Sequence, residues 1–471
     1  MTSPPRPTED PPRSQHSSDQ HHTPKGVERI YGWHYRFRRS KTAIMCVVAM
    51  ALFTDMVVYG IVVPILPVIV RNLGGDSTAV GFLFGCYAFG LLGSTPLFAI
   101  LSDKYQNRKV PMIFGMFGLA MSTTFFGIAT TYWQLVIARV AQGCAGGASW
   151  TIGLGMLADV FPPHKLGVVM GTVLAANTLG FTIGPALGGL LYQYHGYAAP
   201  FIFCSVLAFF DFLAVCWIAE PTKLSHVDPT SEVIAHAHTL ESAPSPAHER
   251  FTDERTPLLR DGPILSHHGP PPKPTNSDTK ITMWSLLQRW TILSCLLATV
   301  LGSSIFSGIE PTLPIHLQDT FHADASTVGL IFMAIVIPTF LSPLVGLASD
   351  RFGRKTISAA GTLLVALVAP LIALPSKTLW LIVPPLMVFG LASSMITTPL
   401  LPEMGEVVHE LGGGAYATVY ALYNMAYSIG MLVGPVIAGL LIDKVGFLGE
   451  MCAFTACLLA AAPVAYWAKW A

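Results

Sequence analysis

Four ionisable side chains lie deep inside long apolar stretches of this chain: Asp55, Arg139, Asp211 and Glu310. A charge at bilayer depth costs about 3 kcal/mol or more unless it is paired or hydrated. Each is therefore expected to face a cavity or a partner rather than lipid. A carboxylate with little water around it can exchange a proton, and it can also hold a cationic amine. One carboxylate serving both makes the two cargoes mutually exclusive, which is the logic of exchange across a membrane. The plain alternative for each acid is a structural polar contact. For Arg139, structural hydrogen bonding and proton coupling both stay open.

The elements that must position these groups follow from composition. The chain has 471 residues, 52% hydrophobic and only 11% charged, with 27 basic and 27 acidic side chains. A soluble chain carries about 25% charged residues. Zero net charge excludes an electrostatic nucleic-acid binder, which needs a basic surplus. With 42 glycines and 36 prolines, a long coiled coil is excluded as well. The charges crowd into residues 1–41 and 220–289, leaving two apolar halves, 42–219 and 290–471. Each half holds six runs of roughly 20 residues, enough to cross a ~30 Å hydrocarbon core as helices. The first six lie near 42–70, 77–101, 109–130, 132–158, 166–192 and 198–219. The second six lie near 290–317, 325–349, 356–375, 378–402, 412–442 and 446–469. Backbone groups find no water in lipid, and no ten-residue alternation is present, so the spans are helices. The expected fold class is all-α and integral to the membrane: twelve transmembrane helices in two pseudo-symmetric six-helix bundles.

Lys and Arg set the orientation. With both termini cytosolic, Arg71, Lys377 and Lys444 are the basic residues left outside, so the positive-inside rule favours this topology strongly. Residues 1–41 read as a disordered cytosolic tail and 220–289 as a disordered cytosolic linker. Cys46, Cys86, Cys144, Cys204, Cys216, Cys295, Cys452 and Cys457 all fall in spans, without metal spacing, and read as small apolar residues. His236, His238, His267 and His268 in the linker read as solvated disorder rather than ligands. No metal and no cofactor is expected.

The halves repeat. Pro64-x-x-Pro67 returns as Pro311-x-x-Pro314 after 247 residues, and Asp103 returns as Asp350 after 247. Gly184-Pro185 returns as Gly434-Pro435 after 250. A six-plus-six repeat suits a machine that rocks one bundle against the other around a midplane site. The loop carrying Asp350, Arg351, Gly353, Arg354 and Lys355 resembles the signature loop of the major facilitator superfamily. Its first-half copy, with Asp103, Lys104, Arg108 and Lys109, is degenerate: Ala99 replaces the leading glycine and one residue is inserted. A carboxylate and a basic cluster at a cytosolic helix junction can pair across the bundles and latch one state. Plain topology is the simpler reading of the same charges. Arg139-Val-Ala-Gln142-Gly143 resembles the family's buried-arginine motif. Gly171, Gly180, Gly184, Pro185, Gly188 and Gly189 resemble its antiporter motif, whose glycines bring helices close and whose proline bends one.

Finer details resemble the vesicular amine transporters and their fungal drug-antiporter relatives. Leu52-Phe-Thr-Asp55 through Pro67 is similar to that family's first span and its amine-binding acid. Ile309-Glu310-Pro311-x-Leu-Pro314 is similar to its seventh span, and Ala199 to Asp211 to its sixth. The resemblance implies that Asp55 and Glu310 bind solute and proton in turn. It also implies that Asp211 and Arg139 support coupling. Departures matter too. Tyr87 stands where the family has a lysine and Asn424 where it has an acid. His409 lies near the position of a further acid, among Glu403, Glu406 and Glu410. Tyr416, Tyr420, Tyr423 and Asn424 share helical spacing and could line the cavity or merely pack.

The linker sequence Glu254-x-x-x-Leu258-Leu259 resembles sorting signals read by clathrin adaptors. If it works, the membrane is vacuolar or vesicular; otherwise it is the plasma membrane. The expected function is a monomeric, proton-coupled antiporter moving a small organic solute out of the cytosol. The competing readings are import by proton symport and a non-transporting receptor on the same fold. No nucleophile-base pair or phosphate loop suggests an enzyme.

Overall fold

The computed structural model describes residues 38, 40–105, 108–218, 283–374, 378–411 and 416–467. Among them every regular element is helical. The first half comprises α1 (Lys41–Ile61), α2 (Leu66–Asn72), α3 (Ser77–Tyr105), α4 (Lys109–Gly127), α5 (Tyr132–Val160), α6 (Pro163–His195) and α7 (Ala198–Trp217). The second half comprises the short α8 (Met283–Leu287), α9 (Trp290–Phe321), α10 (Ala325–Val336), α11 (Ser342–Phe352), α12 (Arg354–Ile372), α13 (Val383–Thr397), α14 (Leu400–Glu410) and α15 (Tyr416–Trp467). A 3₁₀ turn, Ile337–Leu341, joins α10 to α11.

Side chains at the helix starts satisfy the first free amides. Ser40 Oγ accepts from the Ala43 amide at 3.1 Å, and Asp76 Oδ1 from the Ala79 amide at 2.8 Å. Asp324 Oδ1 accepts from the Thr327 amide at 3.1 Å. Gly196 (φ 79°) and Gly353 (φ 95°) make the tight turns after α6 and α11, a conformation that L side chains resist.

Ten helices among the described residues are long and apolar enough to cross a membrane, where the sequence pattern predicts twelve. Two places account for the difference. The last two runs are two helices that meet at Gly446, whose φ of 70° is non-helical, and together they make up α15. The fourth run is a complete 29-residue helix, α5, but Gln134, Arg139, Gln142 and Asp159 dilute its hydropathy. The repeated prolines also act differently in the two halves. The first run breaks after Ile61 and restarts as α2, with Pro67 in its first turn. The seventh run carries Pro311 and Pro314 inside the unbroken α9.

Helix α1 packs on α5, α6 and α7, α4 on α5 and α7, and α3 on α5; in the second half α15 packs on α9 and α12, and α13 on α12. The halves meet along two seams, α6 with α10 and α15 with α3. These seams are related by the repeat. A Cβ on Gly189 would strike the Ala325 carbonyl, and one on Gly329 the Pro185 carbonyl. At the other seam a Cβ on Gly439 would strike the Ser77 carbonyl, and one on Gly81 the Pro435 carbonyl. Small residues thus let backbones touch where a hydrophobic driving force is weak.

The two ends differ. We call the end where α1 begins the base, and the end carrying Arg71 the distal end. At the distal end Arg71 pairs with Asp319 at 2.7 Å, joining α2 to α9 across the halves. Asp443 accepts from the Thr78 hydroxyl at 3.2 Å, joining α15 to α3. At the base, Arg108 pairs with Asp159 at 3.0 Å, within the first half. Arg354 reaches Glu403 at 3.4 Å, Asp350 at 3.8 Å and Glu406 at 3.9 Å, all within the second.

Candidate functional site

The centre of the molecule is built on α1. Asp55 is fully buried there, and Tyr59 follows one turn later on the same face. Tyr87 of α3 donates its hydroxyl to both Asp55 oxygens, at 3.2 and 3.1 Å. Helix α5 makes room for this pair. A Cβ on Gly146 would sit 2.7 Å from the Tyr87 hydroxyl and 2.9 Å from Asp55 Oδ1. The Tyr59 and Tyr87 rings lie 4.7 Å apart. Tyr59 then donates its hydroxyl across the halves to Glu310 of α9, in a buried bond. The two acids predicted from sequence are therefore linked through two tyrosines, one of which replaces the lysine implied by the resemblance.

Arg139 closes the network from α5. It is fully buried, and its guanidinium carbon lies 5.8, 5.5 and 5.5 Å from the ring centres of Tyr59, Phe84 and Phe126. Cation–π attraction of about 0.5–2 kcal/mol per ring offsets part of its lost hydration. One nitrogen donates to Gln142 at 3.4 Å, and Gln142 donates to Thr123 at 3.3 Å. Its Nε and a second terminal nitrogen make no hydrogen bond. The charge is close enough to interact with Glu310 and with both tyrosines. Asp211 of α7 is also buried but stands apart from this chain of contacts. Its carboxyl faces the Thr54 hydroxyl of α1.

The antiporter-type glycines divide by task. Cβ atoms on Gly180, Gly184 and Gly188 would meet the α1 backbone at Phe53, Gly60 and Ile61. Gly189 faces α10 of the other half, and Gly171 faces open space. The motif therefore fixes the helix that carries Asp55 and Tyr59, and also forms a seam between halves.

The other predicted residues scatter. Tyr423 and Asn424 are half-buried on α15, and Tyr423 stacks on Tyr427 at 6.4 Å. The side chains of Tyr416, Tyr420, Asp103 and Lys104 lie outside the described residues. So do Glu254, Leu258, Leu259 and the linker histidines. Lys109 donates to the Cys216 carbonyl at 3.0 Å. Arg351 lies over the Phe352 ring at 5.7 Å, and Lys355 begins α12 beside Arg354. The loop clusters were expected to pair across the bundles; the pairs seen here hold each bundle to itself. Glu403, one of the acids near His409, is wholly buried in the Arg354 cluster rather than placed with Glu310.

Three residues escaped the sequence reading. Tyr59 carried a legible signal, its one-turn spacing from Asp55. Tyr427 is close enough to Glu310 to interact with it electrostatically. Glu450 is fully buried on α15 and accepts from the Thr312 hydroxyl at 2.9 Å.

Comparison with known proteins decides the family. The model described as "Major Facilitator Superfamily" matches residues 48–309 and 292–471. The chain belongs to the major facilitator superfamily. The MFS-type transporter ppzB of Metarhizium majus is 30% identical over 446 residues, covering 84% of this chain and 93% of that one. The chromaffin granule amine transporter of Homo sapiens is 28% identical over 378 residues, covering 79% and 62%. Among solved structures, a bacterial homologue of the human lysosomal transporter Spinster, in an inward-facing and occupied conformation, superposes with a TM-score of 0.69. That likeness covers 92% of this chain and 96% of the other at 13% identity, and it supports the fold. This facilitator is thus a multi-pass membrane transporter related to the vesicular amine transporters.

Proposed function

We propose that this facilitator is a proton-coupled antiporter that removes a small, amphipathic organic solute from the cytosol by alternating access. The base faces the cytosol and the distal end faces a vacuolar or vesicular lumen or the cell exterior. The observation that carries the reading is the buried link Asp55–Tyr87–Tyr59–Glu310, which crosses from one half to the other. Both acids have neutral hydroxyl partners in place of a lysine or an arginine. A protonated acid keeps these contacts, and a cationic solute can take the place of the proton. Arg139, held among aromatic rings beside Tyr59, makes full ionisation of the site sensitive to what the acids carry. Asp211 supports coupling from the other side of α1. When the base closes, the Asp103 and Asp350 loops exchange their present partners for contacts across the bundles. The linker dileucine at Glu254, Leu258 and Leu259 directs the carrier to an acidic organelle through a clathrin adaptor.

The test is purified protein in liposomes with an internal pH dye, challenged with ethidium, monoamines, drugs and small organic acids. Opposed proton and solute flow, abolished by Asp55→Asn and by Glu310→Gln, is expected. Flow in the same direction would make the carrier a symporter. Transport that survives both substitutions would reduce the acids to structural roles.

A further inference from the structure

Helix α9 carries a buried acid against each of two faces at its proline-rich middle. Glu310 points to Tyr59 of the first half. Thr312, two residues on and so about 200° around the helix, meets Glu450 of α15. Glu450 is fully buried, its Oε2 has no partner, and no cation among the described residues pairs with it.

The hydrogens at this contact can be counted. Thr312 Oγ1 lies 2.9 Å from Glu450 Oε1 and 3.1 Å from the Gly308 carbonyl oxygen. A hydroxyl has one hydrogen to give. With an ionised Glu450, that hydrogen goes to the carboxylate, and a charged oxygen stays bare in a dry seam. With a protonated Glu450, the acid donates to Thr312 and Thr312 donates to Gly308, so each hydrogen has an acceptor. Burial without a counter-charge favours the second arrangement.

The seam leads to the distal surface. One turn beyond Thr312, His316 is half-buried and stacks on Phe447 at 4.4 Å, three residues before Glu450. His316 Nδ1 lies 3.3 Å from the hydroxyl of Thr320, which is exposed. The charged groups at this end are Asp319, paired with Arg71, Asp76 at the start of α3, Asp324 at the start of α10, and on α15 itself Asp443 and Lys444. From α12, which also packs on α15, the charges are Arg354 and Lys355 at the base.

We propose that Glu450 is a second proton-carrying site of the transport cycle, filled from the distal side past the His316–Phe447 pair in this state and emptied toward the base in the opposite one. One proton from water at the distal end converts the carboxylate to the acid, and once the halves have rocked the acid gives that proton to water on the other side. The proposal rests on proton coupling as read above, and its test separates the two. Infrared difference spectra of the purified full chain are recorded across a pH titration without solute, for wild type, Glu450→Gln and Thr312→Val. A carboxylic C=O band that titrates in the wild type is expected to vanish in Glu450→Gln and to change frequency in Thr312→Val. In liposomes, Glu450→Gln is expected to move one proton fewer per solute while still exchanging solute for solute. An unchanged carboxyl spectrum in Glu450→Gln overturns the proposal, and so does a lost band with an unchanged proton count. If the band is lost in Glu450→Gln but wild type moves no proton with any solute tested, Glu450 stays a proton site and the antiport reading fails.

Discussion

The distal end and the base of this carrier are held by opposite kinds of contact. At the distal end the Arg71–Asp319 pair, the Thr78–Asp443 bond and close carbonyl contacts run between the halves, and the Tyr59–Glu310 bond joins them toward the centre. At the base, Arg108 and Arg354 bind partners in their own half. The difference teaches how a rocking machine is stabilised in one state. Side-chain pairs within each half hold the base, and contacts between the halves hold the distal end. The contacts between halves are therefore the ones a transport cycle has to break.

The largest effect is expected where backbones touch. Gly189→Leu or Gly439→Leu puts a side chain into the opposite half's carbonyl. Overpacking of this kind costs about 1–3 kcal/mol or more, so the distal end cannot close and transport falls below a tenth of wild type. Solute uptake into liposomes, with detergent stability as a control, checks this. Gly171→Ala is the contrast within the same motif: it meets open space and leaves transport unchanged. Next is Tyr59→Phe, which removes the buried bond to Glu310 and keeps the ring. A hydrogen bond to a charged group contributes about 1.5–3 kcal/mol. Distal-side accessibility to a membrane-impermeant thiol reagent at Leu73→Cys should rise roughly 10- to 100-fold. Equal accessibility in both proteins would mean that this bond does not hold the halves.

Smaller effects belong to the surface. Arg71 and Asp319 are each about half exposed, and exposed pairs contribute about 0–1 kcal/mol. Arg71→Ala should raise distal accessibility by fivefold or less, with the difference fading in high salt. Asp324, which accepts from Thr327 and Ser326 at the start of α10, is held below the usual carboxylate range by those bonds. Its folded-state value is depressed, so its contribution is present above that range and lost as pH falls through it. Asp324→Asn should thus narrow the stability difference between neutral and strongly acidic buffer by less than 1 kcal/mol. Thermal unfolding in the two buffers measures it.

Charges inside apolar runs made much of the site legible. Asp55, Arg139 and Glu310 stand out because lipid-depth charge is costly, and the structure brings these three together. Tyr59 carried only its one-turn spacing from Asp55, and a tyrosine on an apolar helix also reads as packing until its hydroxyl finds Glu310. Glu450 was hidden by position. Only four residues past the kink at Gly446, it reads as a charge at a membrane boundary, while the bend buries it against Thr312. The Asp350 loop was legible as a motif, but its partners were not. Arg354 reaches Glu403 and Glu406, which lie some fifty residues further along the chain, and nothing in the loop's own sequence names them.

Because the Tyr59–Glu310 bond joins the halves, what Glu310 carries should set whether the distal end is closed. Spin labels at Leu73 and Val445, both exposed near the distal end, report its width by pulsed electron resonance. A second pair at Val168 and Phe352 reports the base. In wild type, changing pH should exchange a short distal distance for a longer one while the base distance changes oppositely. Glu310→Gln should hold one population at every pH. A distal distance that still shifts with pH in Glu310→Gln, or never shifts in wild type, would contradict the account.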